Sequence, residues 1–472
     1  MKLRSRTTHS PDNVNNHLLR WTGLPAEIRL MILGQVEVGN KGYKLSDWAT
    51  VSREWQAFFE PQVFQHLKLQ YSGSDIDNLS SFVHGYRRNL VKRISFHVRT
   101  EEYDNVYKFD EPETQDTIKA NNKLFSQAIK KLFASLSTWP GKSPTAGIEL
   151  RLSASSPSDS DHPWKYRAET SQRDRSRIYS LGSKRRLLGN LLDTSSGALR
   201  LAQVPVVRRF SVNQHCYRSL SRAFLAKLLR SLCRLRTISY EPWHAVDRNE
   251  QFPRDEAMIM LLDHASELAT IKSVHLWEAQ SPLNGSKRFL RFRNDYLVSS
   301  AVNLSYGLRC FTLCHAVDAR DFFKHASSNA PENSSGPPDS RAWPALRYLA
   351  LTTHIGDLVS SQSSLEHLIL QASQAALRMP LLTAMEIWAP GAGEGFVFRY
   401  HLRNESPLLT LIATWQLTLG EEVLRSWKRV AARFAERELA YSVKLVRLET
   451  TSDSPYALCN MLGLSAQLRE WK

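Results

Sequence analysis

A chain of 472 residues with 42% hydrophobic and 23% charged residues has the make-up of a folded globular protein, which excludes low-complexity and collagen-like polymers. No stretch approaches about 18 uninterrupted apolar residues, and the start "MKLRSRTTHS" lacks an apolar core, so neither a membrane span nor a secretory leader is expected. The net charge of +16 admits nucleic acid, an anionic surface or an acidic protein as partner and selects none of them.

Residues 1–17 read as a disordered basic tail. The segment 18–66 reads as compact and helical. Pro25 suits a first helical position, where its missing N–H costs nothing. Ile28, Ile32 and Val36 then recur every four residues, with Met31 and Leu33 beside them, which predicts one apolar face. Ser46 is placed to cap a second helix carrying Trp48, Val51, Trp55 and Phe58, and Pro61 is expected to end it. Two or three short helices cannot bury that many large side chains among themselves. Leu24, Ile28, Trp55 and Phe59 therefore need a further surface.

From residue 67 onward, short apolar strands alternate with amphipathic helices such as "EAMIMLLDHASEL" and "SLEHLILQASQAAL". Five strands share the spacing apolar-x-x-apolar-x-apolar. They are Leu235, Ile238, Tyr240; Ile271, Val274, Leu276; Leu308, Phe311, Leu313; Leu346, Leu349, Leu351; and Leu382, Met385, Ile387. Their last members lie 36, 37, 38 and 36 residues apart. A near-constant period marks a repeat architecture, in which each unit buries its neighbour's face. Val91, Ile94, Phe96 and Val207, Phe210, Val212 are earlier members at irregular spacing. Polar stretches near 153–180 and 325–341 read as surface loops. A plain α/β domain with evenly spaced strands is the alternative.

Strand periodicity sends the residues between the motif positions to the other face. Arg209, Glu241, His275, Trp277, Tyr348, Glu386 and Trp388 are the candidate recognition residues there. Trp277, Tyr348 and Trp388 are expected to be solvent-accessible on one continuous concave face and suit binding hot spots; their cover by loops or by the C-terminal segment is the alternative. On the helix "SRAFLAKLLRSLCRL", Lys227, Arg230 and Arg234 read as a solvated face, with a dock for an acidic or phosphorylated segment as the functional alternative.

Signals for chemistry are sparse. "CFTLCH" groups Cys310, Cys314 and His315, but no second ligand pair follows at zinc spacing. "GAGEG" is not a phosphate loop, and the GxSxG, HExxH and kinase patterns are missing. No catalytic residue, metal or cofactor is expected. The five cysteines are scattered and odd in number, and read as reduced thiols.

The stretch "LPAEIRLMIL" followed by "VSREWQAFFEPQVFQHLKL" resembles the F-box. Leu24, Pro25, Glu27, Ile28, Ile32 and Leu33 match its first part, and Val51, Ser52, Arg53 and Trp55 its second. The intervening stretch is less typical, and Val36 stands where leucine is common. The chain especially resembles F-box proteins of filamentous fungi. Its strand-and-helix repeat is similar to leucine-rich repeats, although the period exceeds their usual span of about 20–29 residues and no Asn or Cys ladder follows the strands. The resemblance implies an α/β fold: a helical F-box at 18–66, then an irregular leucine-rich-repeat-like solenoid over 67–472. It implies a non-catalytic substrate receptor of an SCF-type cullin ubiquitin ligase, in the cytoplasm, the nucleus or both. The Skp-family adaptor, and through it a cullin, would be held by Leu24, Pro25, Ile28, Ile32, Leu33, Val51, Trp55 and Phe59. An unidentified target protein would meet the outward strand residues. A repeat-type scaffold without ligase, capped by the N-terminal helices, is one rival; a basic nucleic-acid-associated protein is the other, disfavoured because no aromatic residues interleave with the basic ones.

Overall fold

Alternating apolar residues commit each repeated motif to a strand with two distinct faces. The computed structural model describes residues 21–39, 44–71, 73–103, 111–139, 141, 147–160, 181–194, 199–213, 216–245, 247–278, 291–328, 343–390, 394–404, 406–435 and 437–446. The expected tail at 1–17, most of the two loop stretches, Gly391 and Cys459 lie outside these residues.

In chain order the first half contains Ala26–Gly39 (α1), Leu45–Trp48 (α2), Arg53–Gln65 (α3), His66–Tyr71 (β1), Asp75–Phe82 (α4), Arg87–Leu90 (α5), Arg93–Arg99 (β2), Gln115–Ser137 (α6), Ile148–Ser155 (β3), Leu181–Leu188 (α7), Val207–Val212 (β4) and Arg222–Ser231 (α8). The second half contains Thr237–Tyr240 (β5), Arg248–Glu267 (α9), Ser273–Trp277 (β6), Asp295–Ser305 (α10), Cys310–Asp318 (β7), Ala319–Ser328 (α11), Tyr348–Thr352 (β8), Gly356–Ser360 (α12), Gln362–Ala376 (α13), Ala384–Pro390 (β9), Gly395–Arg403 (β10), Ser406–Ala413 (β11), Glu421–Phe434 (α14) and Ala440–Leu445 (β12). These residues divide into two compact units, one ending at His66 and one starting at Leu67.

In the first unit the start of α3 is set by Ser52, whose hydroxyl accepts from the Trp55 N–H at 3.3 Å. Ser46 does not cap; its hydroxyl instead donates to the Asp47 carboxylate at 3.3 Å within α2. Pro61 does not end α3 but sits inside it. Proline removes a single backbone donor, and the burial of Phe59 and Glu60 just before it holds the helix together.

In the second unit the twelve strands form one sheet whose spatial order is the chain order. Pairing is parallel from β2 to β9. It turns antiparallel from β9 to β10 and from β10 to β11, then parallel again to β12. The helices follow the same order, α8 against α9, then α10, α11, α13 and α14. Polar caps start them: Ser221 accepts from the Phe224 N–H at 3.1 Å, and Asp247 from the Glu250 N–H at 3.0 Å. Core side chains of the sheet, among them Val274, Leu276, Phe311, Leu313, Leu349, Leu351, Met385 and Ile387, are fully buried, as are Leu261, Ala301, Phe322, Leu368 and Trp427 of the helices. Each large apolar side chain contributes roughly 1.5–3 kcal/mol, against its own ordering entropy. The molecule is thus α/β, with a mostly parallel sheet. The polar stretch expected to be a loop from 153 begins inside β3, because Ala154 alternates with Leu152 and Leu150 into the core. The second one begins inside α11, which runs to Ser328.

One buried ion cluster ties the early strands together. The Arg218 guanidinium, 2% exposed, donates to Asp159 at 2.8 Å and to Glu113 at 2.9 Å. Asp159 also accepts from the Tyr103 hydroxyl at 2.7 Å, and Glu113 from the Asn190 amide at 2.8 Å. Removing one partner strands a charge in the interior. Arg218→Ala, which leaves the buried Asp159 and Glu113 carboxylates without their shared cation, is therefore expected to cost about 3–5 kcal/mol, read as a lower urea midpoint; a change under about 1 kcal/mol, typical of exposed pairs, would show that the cluster is solvated.

Candidate interaction surfaces

The first unit has its own aromatic core. The Trp55 ring lies 5.8 Å from Trp21, 5.5 Å from Trp48 and 5.8 Å from Phe59. Glu54 accepts from the Trp21 indole at 2.7 Å and from Arg29 at 3.1 Å, tying α3 to α1 and to the segment before it. Leu33 and Phe59, expected at an adaptor surface, are fully buried instead. The inward positions of α1 are Arg29, Leu33 and Val36; Ile28 and Ile32 belong to the other side. That corrects the expected single face, because a helix carrying Ile28, Leu30, Met31, Ile32 and Leu33 is apolar on most sides. Ile28, Leu30, Met31, Ile32 and Val51 are all exposed, Met31 at 66% and Val51 at 57%. Pro25 is exposed, whereas Leu24 and Trp55 are half-buried.

In the second unit, register lines up the side chains opposite the helices in three rows. One runs Arg93, Glu149, Arg209, Thr237, Ser273, Cys310, Tyr348, Ala384; the next Ser95, Arg151, Ser211, Ser239, His275, Thr312, Ala350, Glu386. The third includes Trp277 beside Cys314 and Thr352 beside Trp388. The expected shared face of Trp277, Tyr348 and Trp388 is therefore present. Its exposure is not: Tyr348 is 3% and Trp388 1% exposed, and only Trp277 is half-buried. The reason is lateral packing within the rows. The Tyr348 hydroxyl donates to Glu386 at 2.7 Å, and Arg399 donates to the same carboxylate at 2.6 Å. The Trp277 and Trp388 rings meet at 5.1 Å, with the His315 ring edge-on to both. Glu386 is fully buried. The accessible part of this face lies earlier, where Arg209 is exposed and Glu241 and His275 are half-buried. Arg93 and Arg151, which no sequence signal singled out, join them by sharing the Glu149 carboxylate at 2.8 and 2.5 Å.

The carboxyl ends of the strands hold a second set of groups. Glu278 is fully buried, accepting from Arg291 at 2.7 Å and sharing a hydrogen bond with His244 at 3.1 Å; Arg291 also pairs with Asp255. Burial raises the Glu278 carboxyl pKa, but Arg291 and His244 outweigh it and bring it to about 2. Beside it, β7 bulges: its register to β8 jumps between Leu313 and Asp318, and His315 takes a left-handed φ of 63°. Asp318 accepts from Arg320, from the Thr353 hydroxyl and from the His354 N–H. Arg291, His315, Asp318, Arg320, Thr353 and His354 line a cleft of about 560 Å³ at the end of the sheet, the edge at which open parallel sheets place ligands. Cys310 and Cys314 lie on β7, half-buried and buried respectively. Lys227 is half-buried, and Arg230 and Arg234 are exposed.

Residues 264–468, less than half of the chain, match the model of a protein family of unknown function, DUF6546. No curated protein matches the chain. Among the described residues, no helix is long and apolar enough to cross a membrane, and no group of three or more His, Cys, Asp and Glu is arranged to hold a metal ion.

His275 offers a titration test of the polar face. Desolvation, and then the positive charge of Arg209, push its pKa down from 6.5 to about 4. A folded pKa below the unfolded one adds stability that is fully present above about pH 6.5 and lost as pH falls through about 4. His275→Gln should flatten the fall in unfolding free energy across that window. In NMR titrations the His275 midpoint should lie near 4 and rise in Arg209→Gln; a midpoint near 6.5 would mean a water-exposed ring.

Proposed function

We propose that the chain is an F-box substrate receptor of an SCF-type cullin ubiquitin ligase, non-catalytic in itself. The observation that carries this reading is the surface of the first unit. A small helical body with its own aromatic core leaves Ile28, Met31 and Ile32, one turn apart on α1, in solvent, in the helix that follows the Leu24–Pro25 pair matching the F-box pattern. Clustered large apolar side chains on a soluble surface call for a partner. The Skp-family adaptor is the partner that the resemblance names. Leu33 and Phe59 would support that surface from beneath rather than touch the adaptor.

The second unit would hold the target. A sheet ordered as the chain, with helices in the same order, suits an irregular leucine-rich-repeat-like array whose helix-free face would meet the target around Arg209, Glu241 and His275, where it is accessible. The receptor would then act through proximity, raising the effective concentration of a target lysine near the charged ubiquitin carrier. Cys216, Cys233, Cys310 and Cys314 are free thiols, which fits the cytoplasm or nucleus.

Co-expression with a Skp-family adaptor tests the reading by gel filtration. The native chain should co-elute with the adaptor, and Leu24→Ala combined with Pro25→Ala should weaken binding by roughly 2–4 kcal/mol. Met31→Asp should abolish co-elution without disturbing the fold, since Met31 is exposed. A native chain that elutes alone, with its helical signal intact, would leave a repeat-type scaffold without ligase as the better account.

A further inference from the structure

The second position of the strand motif carries a charge pattern of its own. In four consecutive units the first apolar residue is followed by a base: Leu235 by Arg236, Ile271 by Lys272, Leu308 by Arg309 and Leu346 by Arg347. Backbone hydrogen bonds place the four side by side. The Lys272 N–H donates to the Arg236 carbonyl at 2.9 Å, Arg309 to Lys272 at 2.8 Å, and Arg347 to Arg309 at 2.7 Å. The row crosses the amino-terminal ends of β5 to β8, ending where Thr383 takes the next place.

All four side chains are exposed. Arg236, Arg309 and Arg347 donate no side-chain hydrogen bond among the described residues, and Lys272 reaches only the Ala269 carbonyl at 3.0 Å. The approaches to these strands, "LCRLR", "LATIK", "YGLR" and "WPALR", contain no Asp or Glu. Neighbouring strands lie about 4.8 Å apart, inside the screening length of about 8 Å at physiological salt. The members therefore repel one another, and nothing among the described residues neutralises them. Arg208 shows how a base is handled when folding does use it. It is buried over Gly147, where a Cβ would overlap the Arg208 Cγ, and it donates to the Arg234 carbonyl at 3.0 Å.

We propose that Arg236, Lys272, Arg309 and Arg347 form a docking ladder for an acidic, Asp/Glu-rich segment of the target protein. As a statement about the target it rests on the receptor reading above; as a binding site it does not need the adaptor. Guanidinium pairs with carboxylates through two parallel hydrogen bonds, and three of the four rungs are arginine. The ladder spans three strand steps, about 14 Å, which an extended chain crosses in about four residues. Single-stranded nucleic acid is a poorer fit, because it needs rings on which bases stack. The aromatic residues in these approaches are Tyr306, half-buried, and Trp343, fully buried, packed on each other at 4.8 Å.

The test titrates the full chain with a labelled Glu-rich peptide of about twelve residues, the same peptide with every Glu replaced by Gln, and a DNA duplex. Two quadruple variants remove equal charge. One changes Arg236, Lys272, Arg309 and Arg347 to Gln; the other changes Arg425, Lys428, Arg429 and Arg433, exposed bases on α14, to Gln. The ladder variant should lose on the order of tenfold or more in affinity for the Glu-rich peptide, with its unfolding midpoint unchanged, while the α14 variant keeps its affinity. Equal losses in the two variants would reduce the ladder to part of a general positive field and overturn the assignment. So would no binding of the Glu-rich peptide, or tighter binding of the duplex through the same four residues. Failure of adaptor co-elution together with ladder-dependent peptide binding would sink the ligase reading and leave the docking site standing.

Discussion

Parallel pairing of each strand with the next one in the chain governs almost everything else in the larger unit. Because β2 to β9 keep one direction and, apart from the shifts at Ile148/Glu149 and Leu313/Asp318, one register, residues at equivalent motif positions stand beside each other. Apolar positions become a continuous buried sheet face, and the positions between them become rows in which a side chain's neighbours are its counterparts in adjacent units. A substitution in one unit is therefore felt by the next unit before it is felt by solvent.

The two ends of the strands use this arrangement in opposite ways. At the carboxyl ends, charges of both signs come together and are satisfied internally. Glu278, Arg291, Asp255 and His244 make one such group, and Asp318, Arg320 and Thr353 another. Buried ions of this kind contribute little net stability, but they penalise any packing that separates them. At the amino ends the charges share one sign and face water. At β5, β6 and β7 the polarity follows from the chain path, since each is entered from a helix through four or five residues that carry bases and no acids.

The motif spacing revealed five strands of the sheet, because a period near 37 residues with a fixed apolar pattern has few other physical causes. β3, β10 and β11 were not legible in that way: they alternate well but break the period. The facing of Trp277, Tyr348 and Trp388 was legible too, since a strand's period of two leaves no choice. Their burial was not, because it depends on contacts between units, the Tyr348 hydroxyl on Glu386 and one indole against another. In α1 the pattern failed for a simpler reason. Apolar residues on nearly every side gave the period no means of choosing Leu33 over Ile28 as the inner position. The Glu278 group was invisible, as any charged residue is when its partner lies elsewhere in the chain.

The hairpin of β10 and β11 bears on how the layers bend. Packed helices sit about 8–10 Å apart and strands about 4.8 Å apart. A sheet that gains one strand for each helix must therefore curl toward its helix-free side to keep the layers in step. Curling draws the side chains on that side together, which is how Trp277 and Trp388, three strands apart, come into contact. Between α13 and α14, which pack directly, the sheet advances three strands instead of one, from β9 to β12. Three strands occupy about 14 Å, more than a helix needs, so the mismatch changes sign there and the curl relaxes. One strand laid in the opposite direction, β10, thus sets where the inward bend of the sheet stops.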